Sequence, residues 1–420
     1  MGTMLLRAFF AVVLLVAFSQ FSIAGTLCVN QSGTPGCYST ISAAVAAAAS
    51  HDTIKVAPGT YAEDVQIGKS LSLIGDNPNN TIIDATGLPN GVYVDGLDHP
   101  GLRAVVVSGF TVNEANYEGI LVTNAADVTI WGNKVTQNDR SLTPTPEGPT
   151  CPGIPAFETA EGFDCGEGIH LSGVEHSVVS KNQVFANAGG ILLSDDTGAT
   201  HHILVSGNTV TENPFDCGIT LASHPPALQT NATAPLGVFD NTISGNESSR
   251  NGLAVGEGAG VGIFDSVPGA KNYGNVVIGN KLTNNGLPGV ALHSHTPGQN
   301  LNNNSIIGNQ ISGNHADSAD AATPGPTGIN IFGVSPIVGT IISQNVIKDE
   351  AVDVAVNTPG SVNVHLNDLL GKMVGLANLG SGSVDATENW WGCFAGPGTP
   401  GCSAVSGSNV LVQPWLTKPF

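Results

Sequence analysis

The feature that most constrains this chain is a six-residue phrase, Asn-x-(Val/Ile/Leu)-x-x-Asn. It is read at residues 133–138, 182–187, 208–213, 241–246, 280–285 and 309–314, and a further copy starts at Asn345 with Glu350 in place of the second Asn. A second phrase, Gly followed by apolar-x-apolar, alternates with it at residues 168–171, 190–193, 218–221, 260–263, 289–292 and 328–331. Two phrases alternating along one chain mark a repeat architecture. Apolar-x-apolar is a short strand with one buried face, and Asn and Gly supply the left-handed backbone of tight corners. Stacked Asn amides also bond one another in ladders. Two strands and two corners close one coil, and coils stacked about 4.8 Å apart make a parallel β-helix. A sandwich of antiparallel hairpins would instead carry paired turn residues at short, even spacing. The expected fold is therefore all-β, a solenoid whose core grows along one axis, forming a single domain over residues 25–420.

The first 24 residues read as a signal peptide: Arg7, an apolar run over residues 8–18 and the small residues Ser22 and Ala24 at the cleavage positions. The run is too short to span a bilayer, and no later segment is long and apolar enough. A secreted or periplasmic location follows. The formal net charge is −20 with only 13 Lys and Arg, which excludes nucleic acid as a partner because nothing neutralises phosphates. Seven cysteines suit an oxidising compartment. Cys28 with Cys37 and Cys393 with Cys402 each flank a short turn and are expected as local bridges at the two ends. Cys151 with Cys165 would close a Pro-rich insertion; Cys165 with Cys217 is the rival pairing, and connectivity stays open. Residues 38–50 are Ala-rich, with Ile41, Ala44, Val45 and Ala48 on one helical face and Ser39 or Thr40 as the cap. They predict a helix covering the open end of the solenoid within an N-terminal cap of residues 25–60. A C-terminal cap is expected over 389–420.

The stretch DTIKVAPGTYAEDVQIGKSLSLIGDNPNNTIIDATG, the downstream Asn phrases and the closing Asn389-Trp390-Trp391-Gly392 resemble bacterial right-handed parallel β-helix proteins of the pectin-lyase-like superfamily. That group includes NosD-like periplasmic proteins and many carbohydrate-active enzymes. The resemblance implies a right-handed helix and a polysaccharide or oligosaccharide as partner, met by a glycoside hydrolase or polysaccharide lyase. It equally admits a non-catalytic glycan-binding or scaffold protein, or a NosD-like metal-handling role. Of the motifs that mark polygalacturonase-like hydrolases, only Asp195-Asp196 is present. The Asp-Pro-His of alginate-epimerase-like enzymes is absent, and Arg103, Arg140 and Arg250 lie outside the best-aligned coils.

Aligning the coils on the Gly phrase stacks the residues just past each strand: Gly173/Val174, Asp195/Asp196, Ser223/His224, Asp265/Ser266, Ser294/His295 and Gly333/Val334. His293 lies just before them, and His170 takes the outward position within its strand. Asp195, Asp196, His224 and Asp265 are the candidate catalytic residues; Glu167, His170, His293 and His295 are candidate substrate contacts. A carboxylate one coil away orients an imidazole and raises its pKa. Asp195 and Asp265, two coils apart at about 9.6 Å, match the upper end of an inverting glycosidase pair. Asp and Ser at corners also cap turns for structural reasons. The sequence requires no cofactor; a divalent metal on His224, His293, His295 and Asp265 is a further possibility, with the two rings of His293-x-His295 on one face. In His201-His202 the rings are expected on opposite sides of a strand.

Overall fold

The computed structural model describes residues 24–145, 148–158, 166–224, 236–254, 256–265, 267–318, 323 and 325–420. The expected signal segment before Ala24, and Cys165, lie outside them. Three long sheets of 14, 12 and 11 strands run side by side, and the chain visits them in the repeating order 12, 14, 11. Each strand pairs in parallel with the equivalent strand of the preceding and following coil, for example Ile120–Thr123 with Glu167–Ser172, and Glu167–Ser172 with Gly189–Ser194. The fold is a parallel β-helix.

Alternation within each short strand makes the core. In the 12-stranded sheet Ile120, Ile169, Ile191, Ile219, Val261, Val290, Ile329 and Val354 stack in register, all fully buried. Like sits on like, so each coil covers the apolar face that its neighbour cannot bury alone.

The Asn phrase is a pair of corners. Asn133, Asn182, Asn208, Asn246, Asn280, Asn309, Asn345, Asn367 and Asn389 form one continuous ladder in which each backbone N–H and side-chain Nδ2 donates to Oδ1 of the next Asn. A second ladder runs Asn138, Asn187, Asn213, Asn251, Asn285, Asn314 and ends on Glu350, whose Oε1 takes both donors of Asn314 at 3.0 Å. The residue preceding each Asn of the first ladder is left-handed, with φ from +54° to +66°. Lys181, Gln344, Leu366 and Glu388 accept that geometry, so the Asn contacts rather than glycine alone define the corner.

The ladders correct one reading of the sequence. Residues 241–246 are not a copy in register: Asn246 belongs to the first ladder, whereas Asn241 heads a separate series, bonding Asn275. The true copy in that coil is 246–251. There Ser248 takes the inward aliphatic position, fully buried, and donates its hydroxyl to Gly260 O at 2.7 Å. A satisfied hydroxyl replaces the methyl groups that the sequence pattern demanded.

At the N-terminal end a helix, Ile41–Ala47, covers the core with Ile41, Ala44 and Val45. It is shorter than the expected 38–50. Thr40 caps it, accepting from Ala43 N, and the Glu63 carboxylate takes the N–H groups of Ile41 and Ser42. Cys28–Cys37 and Cys393–Cys402 are disulfides near the two ends. Cys151 is disulfide-bonded, while Cys217 is a free thiol, fully buried and accepting from Ala259 N.

Asn280→Ala removes the acceptor for both donors of Asn246 and the donor to Ile243 O. Several buried groups lose their partners together, and the expected cost is about 3 kcal/mol. Chemical denaturation of the variant checks this; a loss below about 0.5 kcal/mol, typical of surface changes, would mean the ladder is decorative.

Candidate functional site

The candidate residues gather on the outward face of the 12-stranded sheet and at the corner beyond it. Several outward positions there are as buried as inward ones, His170 being 1% exposed, and Glu118, just before its strand, is wholly buried. The face is closed in part by the insertion, whose Phe157 and Glu158 are buried. The Glu158 charge reaches His170.

His170 sits at the centre of two groups of acids. On its Nδ1 side lie Glu118, at 3.9 Å, and Glu167, the donor atoms of all three within 4.8 Å of one another. Glu118 and Glu167 occupy the same position in successive coils, just before Gly119 and Gly168. Burial pushes the Glu118 carboxyl well above the carboxylate range, against its hydrogen bonds with Glu167 and with backbone N–H groups. Two adjacent buried carboxyls cannot both ionise, so the pair holds a proton. On the other side His170 Nε2 bonds Ser194 Oγ at 2.8 Å, and beyond it Asp196 Oδ1 lies 3.4 Å from His224 Nδ1. Burial acts to raise the Asp196 carboxyl, but the His224 hydrogen bond and charge, reinforced by His170, hold it well below the ordinary range. His170 is itself pushed down by burial, against the charges of Glu158 and Asp196.

Asp195 and Asp265 behave differently. They share the parity of the core residues Leu193 and Ile263, and their contacts turn to the corner rather than outward. Asp195 accepts from Ser223 Oγ at 3.0 Å and from His224 N at 2.6 Å, and Ser223 Oγ in turn accepts from Lys271 N. Ser223 and Asp265 are paired in register, so Asp195 and Asp265 are two coils apart. Burial, and then the Asp195 charge, push Asp265 up to about 9; burial pushes Asp195 up to about 7. The one strip read from sequence is thus two sets back to back: a corner column of Asp195, Ser223 and Asp265, and an outward group around His170, Asp196 and His224.

His293 and His295 form a separate cluster two coils on. His293 Nε2 is 3.0 Å from Asp317 Oδ2 and 3.0 Å from Asn330 Nδ2, with its ring edge-on to Phe264 and Phe332. His295 is only half-buried and lies near the same two phenyl rings. The face opens to solvent at Phe264, His295 and Phe332. The His293 and His295 rings stand at 81° to each other, and no group of His224, His293, His295 and Asp265 converges on one point among the described residues. The rings of that sequence-derived metal set are taken up by separate partners instead. Glu118, Glu158, Asp317 and Asn330 were not singled out from sequence. For Glu118 a signal existed: Glu118-Gly119-Ile120-Leu121-Val122 repeats the pattern of Glu167-Gly168-Ile169-His170-Leu171.

Residues 76–263 match the family described as the right-handed β-helix region. No curated protein sequence matches the chain. Among solved structures, the Dettilon tailspike protein superposes with a TM-score of 0.53 at 13% identity, covering 86% of this chain and 62% of that one. The DFA-IIIase of Arthrobacter chlorophenolicus A6, solved with GF2, gives 0.50 at 14% identity, covering 88% and 89%. Polygalacturonase from Erwinia carotovora ssp. carotovora gives 0.49 at 12% identity, covering 94% and 95%. At such identities the likeness is one of fold: the chain is a right-handed parallel β-helix.

The protonation pattern has a consequence for stability. Carboxyls raised in the folded state (Glu118, Asp195 at about 7 and Asp265 at about 9) keep protons that the unfolded chain releases above about pH 4. Their contribution is complete below that unfolded value and is lost as pH rises through the folded ones. Asp196, depressed, acts oppositely and loses its contribution only in strong acid. The melting temperature is therefore expected to fall between about pH 5 and about pH 9, and Asp265→Asn to flatten that slope. A stability that rises across this interval would contradict the assignment.

Proposed function

We propose that the outward face around His170 cleaves a glycosidic bond in a polysaccharide or oligosaccharide by hydrolysis, and that the chain acts outside the cytoplasm. The observation that carries this is the opposite protonation of carboxyls on the two sides of His170: Glu118 held as the acid, Asp196 held as the anion against His224. Titratable groups whose environments push their pKa values apart are the mark of an acid and a base at work together. Glu118, sharing its proton with Glu167, donates to the glycosidic oxygen as the C–O bond breaks. Asp196, with His224, takes a proton from the water that attacks the anomeric carbon. The strands beside them are two coils apart, with Glu118 just before Ile120 and Asp196 just past Ser194, so the two acids act across His170 rather than in contact. His170 lies between and hydrogen-bonds the substrate. Phe264, His295 and Phe332, where the face opens, offer apolar ring surface for a sugar. Asp195 holds the His224 backbone N–H, and Asp265 sets the field behind it in the corner column.

The burial of Glu118, His170 and Asp196, at 0–2% exposure, favours a second reading. In it the acids are an internal network and the chain binds glycan at the open end of the face without cutting it.

Mass spectrometry of products from plant, algal and microbial glycans separates the two. The first reading expects fragments carrying one added water, and a loss of about 100-fold or more in turnover for Glu118→Gln and for Asp196→Asn. It also expects activity to rise as Asp196 ionises and to fall as Glu118 does. Fragments without the added water would mean elimination and would remove the acid–base assignment. Glycan binding without fragments would establish the second reading.

A further inference from the structure

A different side-chain cluster, outside this face, has the composition of a metal site. The corner that leads from the 12-stranded to the 14-stranded sheet places a left-handed residue two positions before successive strands of the latter. Asp127, His176, His202 and Asp240 fill this position in successive coils, with φ of +53°, +50°, +56° and +55°. Asp and His tolerate this conformation better than most side chains. The left-handed turn at His202 also overturns the sequence expectation that His201 and His202 face opposite sides. The backbone is not extended there, and both rings come to one side, with Nδ1 of His201 2.8 Å from Nδ1 of His202. His176, one coil away, lies with its ring centroid 4.8 Å from that of His202 and 5.9 Å from that of His201.

We propose that His176, His201 and His202 bind a borderline divalent cation, Zn²⁺ or Cu²⁺, on the outside of the solenoid. Three features support the assignment. The ligand nitrogens of the three rings all lie within 4.8 Å of one another. Metal–nitrogen bonds of about 2.0–2.1 Å at a tetrahedral centre set neighbouring nitrogens about 3.4 Å apart, so the cluster needs only small ring rotations to close on an ion. Imidazole is the ligand these ions prefer.

The second feature is orientation. His201 Nε2 is 3.5 Å from Glu175 Oε2, an orientation that favours the proton on Nε2 and turns Nδ1 to the ion as the ligand atom. Without metal, His202 Nδ1 then donates to His201 Nδ1; on binding, the His202 proton moves to Nε2. The third is rigidity. The His201 ring stacks on Phe239 at 4.9 Å and 18°, and Phe239 stacks on Tyr273 at 5.0 Å and 5°. The central ligand is thus held by an aromatic column rather than by the ion. His176 and His202 are exposed, so the ion keeps at least one position open to water or to a partner's ligand.

Calorimetric titration of the tag-free protein with Zn²⁺ alone, and with Cu²⁺ alone, tests this. One ion per chain is expected, with binding weakened at least about tenfold in His176→Asn and in His202→Asn. Asn suits the left-handed position, so these variants keep the corner. Cu²⁺ electron paramagnetic resonance is expected to show coupling to three imidazole nitrogens, reduced by one in each variant. An ion held with unchanged affinity in both variants, or no binding by the wild type, would overturn the proposal.

Discussion

The carboxamide ladder is the interaction on which the rest of this molecule depends. A corner of a coil leaves backbone N–H groups pointing along the solenoid axis, away from any strand partner. Buried without an acceptor, each would cost as much as a lost hydrogen bond. An Asn side chain folded into the corner supplies that acceptor to the coil before it, and its own amide then donates to a carbonyl of that same preceding coil, as Asn182 does to Ile130 O. Because each coil presents the same need, the same residue solves it repeatedly. The coils are thereby held in register at their corners, and the apolar columns of the three sheets fall into line.

That register is also what builds the site. Coils locked at the corners bring residues tens of positions apart in sequence onto neighbouring strands, so that Glu118 meets Glu167 and Asp196 meets His224. The closely packed backbone leaves the outward face with little solvent, and low solvation is what drives the carboxyls apart in protonation. A corner residue of core parity, such as Asp265, meets desolvation with few compensating bonds and stays a neutral acid. An outward one, such as Asp196, has an imidazole opposite it and stays an anion.

Much of this was legible in the sequence. The period of the Gly phrase aligned the strands correctly, and the residues stacked from it (Ser223, Asp265, Ser294, Gly333) are paired in that register. The N-terminal helix was legible from its Ala-rich face. What could not be read came from three physical causes. Parity at a strand end decides whether a carboxylate faces the corner or the outside, and a list of stacked positions does not contain it. A buried serine can stand for valine when its hydroxyl finds a carbonyl, which hid the copy at 246–251. And a left-handed residue within two consecutive histidines reverses the face that simple alternation assigns them.

Glu350 gives the second ladder a terminus of a particular kind. Every Asn in the series both accepts and donates; a carboxylate accepts alone. It takes the two donors of Asn314 and hands none onward, and burial raises its carboxyl to about 7. The series therefore has a direction, with amide donors leading from one end and an acceptor closing the other. The strands go on past it, Asp368–Leu370 pairing on Val346–Lys348 while the first ladder continues through Asn367 and Asn389, so one amide exchanged for an acid ends a ladder without ending the solenoid.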